Sequence, residues 1–405
     1  MKRVLFINSV CGSGSTGKIV LELYHTLEKA DYKCKIAYGR NTAPENIETI
    51  KIGSKINVYC HGLLSRITDR HGFYSTLATK RFLKKLDNYQ PDIVHLHNIH
   101  GYYINIKILF EYLSRRKIPV IWTLHDCWPF TGHCAYFNTA NCQKWRTECT
   151  NCPQKSAYPA SYILDSSSWN FETKKKLFTS LVFLTIVVPS NWMKDRVKES
   201  FLSSYSIKVI KNGIDLSVFK PTANDIKKRY SIENKSIILG VANTWEPRKG
   251  LNYFIELSKM LDSSFQIILV GLSAKQIKHL PPQIIGLQRV DNIKSLVELY
   301  SAADLLFNSS KEETMGMVTV EALACGTPVM AFNCTAIPEM FDKTCGILLY
   351  EDSIKYIYDT IQKGDWKRIT PISCQAYAKK FSKNEKYREY KSLYDSILSN
   401  QFTNN

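Results

Sequence analysis

Two glutamates eight residues apart open the chemical reading, in the run Glu313-Thr-Met-Gly-Met-Val-Thr-Val-Glu321, which continues Ala322-Leu-Ala-Cys-Gly-Thr-Pro-Val329. The spacing sets Glu313 in a loop and Glu321 about two turns into a helix. The helix start between them offers unpaired N–H groups and the positive end of a dipole, which suits a diphosphate. A carboxylate in such a loop accepts hydrogen bonds from sugar hydroxyls, and one on the helix reaches a ribose. A second candidate is Cys11-Gly-Ser-Gly-Ser-Thr-Gly-Lys18, joining a strand to a helix, where glycines let backbone approach a ligand. It is not a Walker loop, because Ile19 stands where a magnesium-binding Ser or Thr is required. The third is Asp92-Ile-Val-His95-Leu-His97-Asn98-Ile-His100-Gly101. There His95 and His97 project to one face of a strand. Such a pair is more often two satisfied core or cleft histidines than a metal site. Asn98, His100 and Tyr102 are the acceptor-site candidates.

These residues need strands that end at them. Short apolar runs at Val4–Asn8, Lys35–Tyr38, Asp92–His97, Val120–Leu124 and Phe183–Val188 alternate with helical stretches at Lys18–Ala30, Thr76–Asn88 and Asn105–Arg116. The rhythm repeats with strands at Lys208–Ile210, Ile237–Ala242, Phe265–Val270, Leu305–Asn308 and Val329–Phe332, and helices at Leu251–Leu261, Ser295–Ala302 and Val318–Ala324. Alternation of this kind predicts α/β layers with parallel sheets. At 405 residues the chain suits two such domains. The expected division is residues 1–203 and 204–380, with a last helix over 383–398 packing back on the first domain. Ligands of open parallel sheets bind beyond the C-terminal strand ends. Two facing sheets then place a site in the cleft between them.

A formal charge of +18 suits phosphate-bearing partners. Lys and Arg are dispersed, which argues against nucleic acid and for an anionic membrane surface. The longest apolar stretch, Leu181 to Val188, is far short of the roughly 20 residues of a membrane span. The N-terminal Val4-Leu5-Phe6-Ile7 leads into the glycine loop and reads as a first strand, not a signal peptide. The expected location is the cytoplasm, peripheral on the inner face of the membrane.

Several of these segments, in order, resemble family 4 retaining glycosyltransferases of the GT-B fold. The glutamate pair resembles the family's E-x7-E signature, and Asn212-Gly-Ile-Asp215 its N-G-I/V-D segment. Val241-Ala-Asn-Thr-Trp-Glu-Pro-Arg-Lys-Gly250 resembles the strand and loop whose basic residues bind the donor diphosphate. The family has Arg five residues before Lys249, where this chain has Thr244. Arg248 is the candidate to supply that charge, its alternative being a solvated surface cation. The resemblance implies two facing Rossmann-like domains and a donor site at Gly14, Thr16, Gly17, Asn212, Arg248, Lys249, Thr314, Met315, Gly316, Met317 and Glu321. It makes His125, in Thr123-Leu-His125-Asp126, a contact to the donor sugar and, with Glu313, a catalytic residue. The segments H-D-x-W-P-F-T-G-H-C and N-C-P-Q, from His125 to Gln154, resemble the exopolysaccharide and colanic-acid branch. The implied reaction carries a sugar from a nucleoside-diphosphate donor to a saccharide acceptor, read as lipid-linked, in surface-polysaccharide or capsule synthesis. Configuration is retained. No D-x-D occurs in the chain, so no metal cofactor is expected for catalysis. Rival readings are a nucleotide-sugar epimerase of the same fold and a non-catalytic sugar- or RNA-binding protein.

Five of the twelve cysteines lie between Cys127 and Cys152. Cys134, Cys142, Cys149 and Cys152 have the spacing C-x7-C-x6-C-x2-C in a segment with few helix or strand signals. Ordering so long a loop costs entropy. Thiols in a reducing compartment would offset this as a four-thiolate zinc site, with His133 or Cys127 as substitute ligands. The alternative is buried free thiols packed among Trp128, Phe130, Tyr136 and Trp145.

Overall fold

The computed structural model describes residues 1–290 and 292–402. Among the described residues, thirteen strands form two wholly parallel sheets. The first holds β1 (Arg3–Val10), β2 (Lys33–Arg40), β3 (Thr49–Lys51), β4 (Ile93–Leu96), β5 (Val120–Thr123), β6 (Leu184–Val188) and β7 (Ser206–Val209), in the order β3-β2-β1-β4-β5-β6-β7. The second holds β8 (Ser236–Val241), β9 (Phe265–Val270), β10 (Ile284–Leu287), β11 (Leu305–Asn308), β12 (Val329–Phe332) and β13 (Gly346–Leu349), in the order β10-β9-β8-β11-β12-β13. Strand order therefore reverses between β1 and β4, and again between β8 and β11. Parallel sheets need apolar residues on both faces, since crossovers cover both. β1 shows why its run is continuous: Leu5 and Ile7 enter one core while Val4 and Phe6 enter the opposite one. In β8, Ile237 and Leu239 serve one face and Ile238 the other.

Among the described residues, the helices of the first unit before its last one are α1 (Gly14–Glu28), α2 (Lys55–Thr68), α3 (Thr76–Tyr89), α4 (Ile106–Arg116), α5 (Ser167–Phe178) and α6 (Asn191–Lys198). The described residues divide into residues 1–211 with those from 386 on, and residues 212–385. The first boundary lies past the expected 203/204, and the segment assigned to the second half belongs to the first. β7 pairs with β6, Thr185 opposite Ser206 through Val188 opposite Val209. Its edge position leaves alternate residues exposed, so it carries no buried apolar run to announce which sheet it joins. The last helix, Lys383–Phe402, puts Tyr387, Tyr390, Tyr394 and Leu398 into the core that holds Val4 and Phe6.

Candidate functional site

In the second unit the candidate residues gather where β8 and β11 end, at the reversal of strand order, the place where such sheets bind ligands. Two loops leave these strands and are laced together. Arg248 Nη1 donates to the carbonyl of Glu312 at 3.0 Å, and Lys311 N donates to the carbonyl of Arg248 at 2.8 Å. Ser309 Oγ donates to the carbonyl of Lys249 at 2.6 Å. Gly250 makes the approach possible: its φ is +72°, and a Cβ there would lie 2.5 Å from the Ser309 carbonyl oxygen. The lacing sets Lys249 Nζ against Glu313 Oε1 as a part-buried ion pair. Burial by itself would push the Glu313 carboxyl up, but Lys249 and Arg248 hold it below the ordinary range. Glu313 is thus a fixed anion, with its own N–H donating to Thr335 Oγ1 at 3.0 Å.

The loop then turns through Thr314, Met315 and Gly316 into the helix Met317–Ala324. Gly316 occupies the cap position at φ +89°, a conformation that disfavours side chains, and it offers no side-chain cap to the helix N–H groups. Glu321 Oε2 accepts a hydrogen bond from Tyr300 OH at 2.9 Å. Asn212 joins the loop by donating its N–H to Met315 Sδ at 3.2 Å. Its side-chain Oδ1 is buried with no hydrogen-bond partner in the protein. A buried amide oxygen in that state is costly unless something donates to it.

In the first unit the corresponding reversal joins the ends of β1, β4 and β5. The first turn of α1 starts at Gly14, so Gly14, Thr16 and Gly17 belong to the helix and not to the loop preceding it. Asn8 ties the glycine segment to β4: its Oδ1 accepts from Asn98 N at 3.1 Å and its Nδ2 donates to Val10 O at 2.8 Å. Sequence reasoning did not single out Asn8. Its place at a strand end just before a glycine loop was the available signal.

Histidines crowd the ends of β4 and β5. His97 Nδ1 lies 2.9 Å from His125 Nε2, with the rings stacked at 15°. Burial pushes His125 down to about 4, only partly opposed by the neighbouring Asp126. It is therefore a neutral imidazole at neutral pH. His95 is not available to a metal, since Thr123 Oγ1 takes one nitrogen at 2.8 Å and Tyr394 OH the other. His100 bridges Asp126 Oδ2 at 2.9 Å and Tyr158 OH at 3.0 Å. Asp126 Oδ1 also accepts from Trp128 N at 3.0 Å. Tyr102 packs against His71 with the rings tilted by 53° and their centroids 4.5 Å apart. Asp126 and Tyr158 were missed as partners of His100, because neither lies near it in sequence.

The cysteine segment does not fit the expected zinc shell. Among the described residues no three His, Cys, Asp or Glu side chains form a group able to hold a metal. Cys134 and Cys152 are hydrogen-bonded to each other, and Cys149 Sγ accepts from Gly132 N at 3.2 Å. Other contacts order this loop. Phe137 stacks on Trp145 at 4.7 Å, buried His133 pairs with Asp69, and Lys174 Nζ donates to Trp128 O and Thr131 O at 2.8 and 3.0 Å.

Residues 16–218 match the family model described as Glycosyltransferase Family 4, and residues 235–363 that of Glycosyl transferases group 1. The chain is 23% identical to a putative colanic acid biosynthesis glycosyl transferase, WcaC, of Escherichia coli K12, over 87% of this chain and 88% of that protein. A sucrose-phosphate synthase from Thermosynechococcus elongatus superposes with a TM-score of 0.73 at 15% identity, covering 98% of this chain and 100% of the other. Anabaena Alr3699/HepE, solved in complex with UDP and glucose, gives 0.68 at 16% identity, with coverage of 98% and 100%.

Proposed function

The chain belongs to glycosyltransferase family 4 and has the GT-B fold of two Rossmann-like domains, and from that premise we propose that it moves a hexosyl group from a nucleoside-diphosphate donor to a saccharide acceptor with retention. The observation that carries this reading is the Lys249–Glu313 ion pair at the strand-order reversal of the second unit. Glu313, kept ionised, accepts hydrogen bonds from the donor sugar hydroxyls. Lys249 and Arg248 neutralise charge on the leaving diphosphate, assisted by the N–H groups at the start of the helix Met317–Ala324. Glu321, steadied by Tyr300, receives the ribose hydroxyls, and Asn212 Oδ1 is left for a donor group of the ligand. His125, a neutral imidazole fixed by His97, is read as a contact to the donor sugar. As the bond from the anomeric carbon to the diphosphate breaks, the acceptor oxygen bonds to that carbon from the same face and its proton passes to the diphosphate. The cationic side chains take the place of a metal clamp, and catalysis is read as metal-independent.

The acceptor is read as lipid-linked, at an anionic membrane surface, and the product as part of an exopolysaccharide or capsule. Support comes from the colanic acid relative and from the net charge of +18. Uridine is the first base to try, because HepE was solved with UDP and glucose. The test measures nucleoside diphosphate release from a panel of donor sugars with polyprenyl-linked saccharides in EDTA, and the anomeric proton of the product by NMR. Release that needs acceptor, with the donor's configuration kept, is expected. An inverted product, or an epimerised donor formed without acceptor, overturns the reading.

Arg248 carries a separate prediction. Its guanidinium is held by Glu312 O and Glu246 Oε2, close to Lys249, where Thr244 leaves the loop one cation short. Arg248→Ala should raise the donor KM tenfold or more, since a hydrogen bond to a charged group is worth about 1.5–3 kcal/mol. Arg248→Lys should restore only part of this, a point charge replacing a fork. An unchanged donor KM leaves Arg248 as a tie between the two loops and not a donor contact.

A further inference from the structure

Helix α2 is built inside out. Its buried side is His61, Gly62 and Ser65, small or polar groups, while its apolar residues other than Val58 face solvent. Ile56, Tyr59, Leu63, Leu64 and Ile67 recur at the three- and four-residue spacing of one helical face, with Ile56 and Tyr59 more than 70% exposed. Single exposed apolar residues are ordinary, but a continuous stripe about three turns long is not. The stripe extends onto the neighbouring loop. Tyr162 N and Leu164 N donate to the carbonyls of Arg66 and Ile67 at 2.8 and 3.0 Å. That pins Tyr162, Ile163 and Leu164, all at least half exposed, beside the last turn of α2.

Charge points to the occupant. Residues 51–90 contain eight Lys and Arg but two acids, Asp69 and Asp87. Both acids are engaged, Asp69 in a buried pair with His133 and Asp87 with Arg116 and Tyr112. Lys80, Arg81, Lys84 and Lys85 of the next helix, α3, are all exposed. Apolar and aromatic side chains on a helix face, flanked by long basic side chains, match the boundary between lipid headgroups and acyl chains. No helix among the described residues is long and apolar enough to cross a membrane, so contact of this kind lies in the surface. We propose that α2 with the Tyr162–Leu164 loop is the face by which this chain seats on anionic lipid, the helix lying in the interface plane. The inference rests on the reading of the acceptor as lipid-linked.

The full chain is tested by flotation with phosphatidylcholine vesicles containing or lacking phosphatidylglycerol. Wild type should float with anionic vesicles at low salt and detach as salt screens the charges. Ile56→Ser/Leu63→Ser/Ile67→Ser should cut the bound fraction at least about tenfold, with its melting temperature and its turnover of a water-soluble acceptor unchanged. Lys80→Glu/Lys84→Glu should weaken binding to anionic vesicles while leaving the apolar stripe intact. Cys60, within the stripe and the one exposed cysteine, should lose maleimide reactivity at least about tenfold on adding anionic vesicles, read at its own peptide by mass spectrometry. If the triple variant floats like wild type, the surface assigned here is wrong and the lipid-linked reading stands. If wild type ignores anionic vesicles at low salt, the membrane reading falls with it, while donor turnover still decides glycosyl transfer. A triple variant that only turns a dimer into a monomer overturns the proposal in favour of self-association.

Discussion

Glu313→Ala should lower turnover at least about a hundredfold, and His125→Ala should do the same, the scale of losing one preorganised contact to the transition state. The two act by different physics. Glu313 is an anion that burial disfavours and Lys249 stabilises, so it enters the reaction already charged and already oriented. Removing it deletes the sugar contact and also strands Lys249 as a part-buried, unpaired cation, which costs stability. Glu313→Gln therefore belongs in the same experiment. It keeps the shape and a hydrogen bond while removing the charge, and should fall nearly as far in kcat with less effect on melting. His125 contributes a neutral ring held by His97 at 2.9 Å, so His125→Ala should cost kcat with donor binding less affected. Glu321→Ala should mainly raise the donor KM. Near-native kcat in well-folded Glu313→Ala and His125→Ala sinks the assignment of both residues.

Stability should fall steeply between pH 6.5 and pH 4. Burial depresses His61 to about 3 and His125 to about 4, and lowers His71, His95 and His97 well below the ordinary 6.5. In the unfolded chain these rings take up protons as pH falls through about 6.5. In the folded chain they stay neutral until much lower pH. Over that window the unfolded state binds more protons, so unfolding free energy rises with pH and is lost on acidification. Each ring contributes a slope of about 1.4 kcal/mol per pH unit. His133 acts in the other sense, since Asp69 raises it above its ordinary value despite burial. Its share is complete below pH 6.5 and fades only at higher pH. Denaturant titrations at pH 7, 6 and 5 should show a steadily falling midpoint, with uptake of several protons on unfolding. A midpoint unchanged from pH 7 to pH 5 means that these rings are protonated in the folded chain.

Spacing along the chain was enough for whatever depends on neighbours. Val4-Leu5-Phe6-Ile7 reads as a strand buried on both faces because its periodicity is a property of the run itself. The glutamates of Glu313–Glu321 fall in a loop and on a helix for the same reason, and β1, β4, β5, β8 and β11 lie where apolar runs predicted them. Short β3, β10 and β13 and helices α2 and α5 were not legible. All three are sheet edges and only partly buried, so they lack the fully buried run that marks the equally short β4, β5 and β11. α2 has a capping box at Ser54 and Asn57, but its apolar stripe carries no mark of pointing outward. Tertiary structure decided that direction, because which face of a helix is buried depends on what the sheet offers it. It also decided that β7 completes the first sheet, since an edge strand is chosen by backbone pairing with β6. The Lys249–Glu313 pair spans 64 residues and the Tyr394–His95 contact 299. Contacts across such separations follow from the order in which strands assemble, which is set by the packing of whole layers and is written in no local pattern.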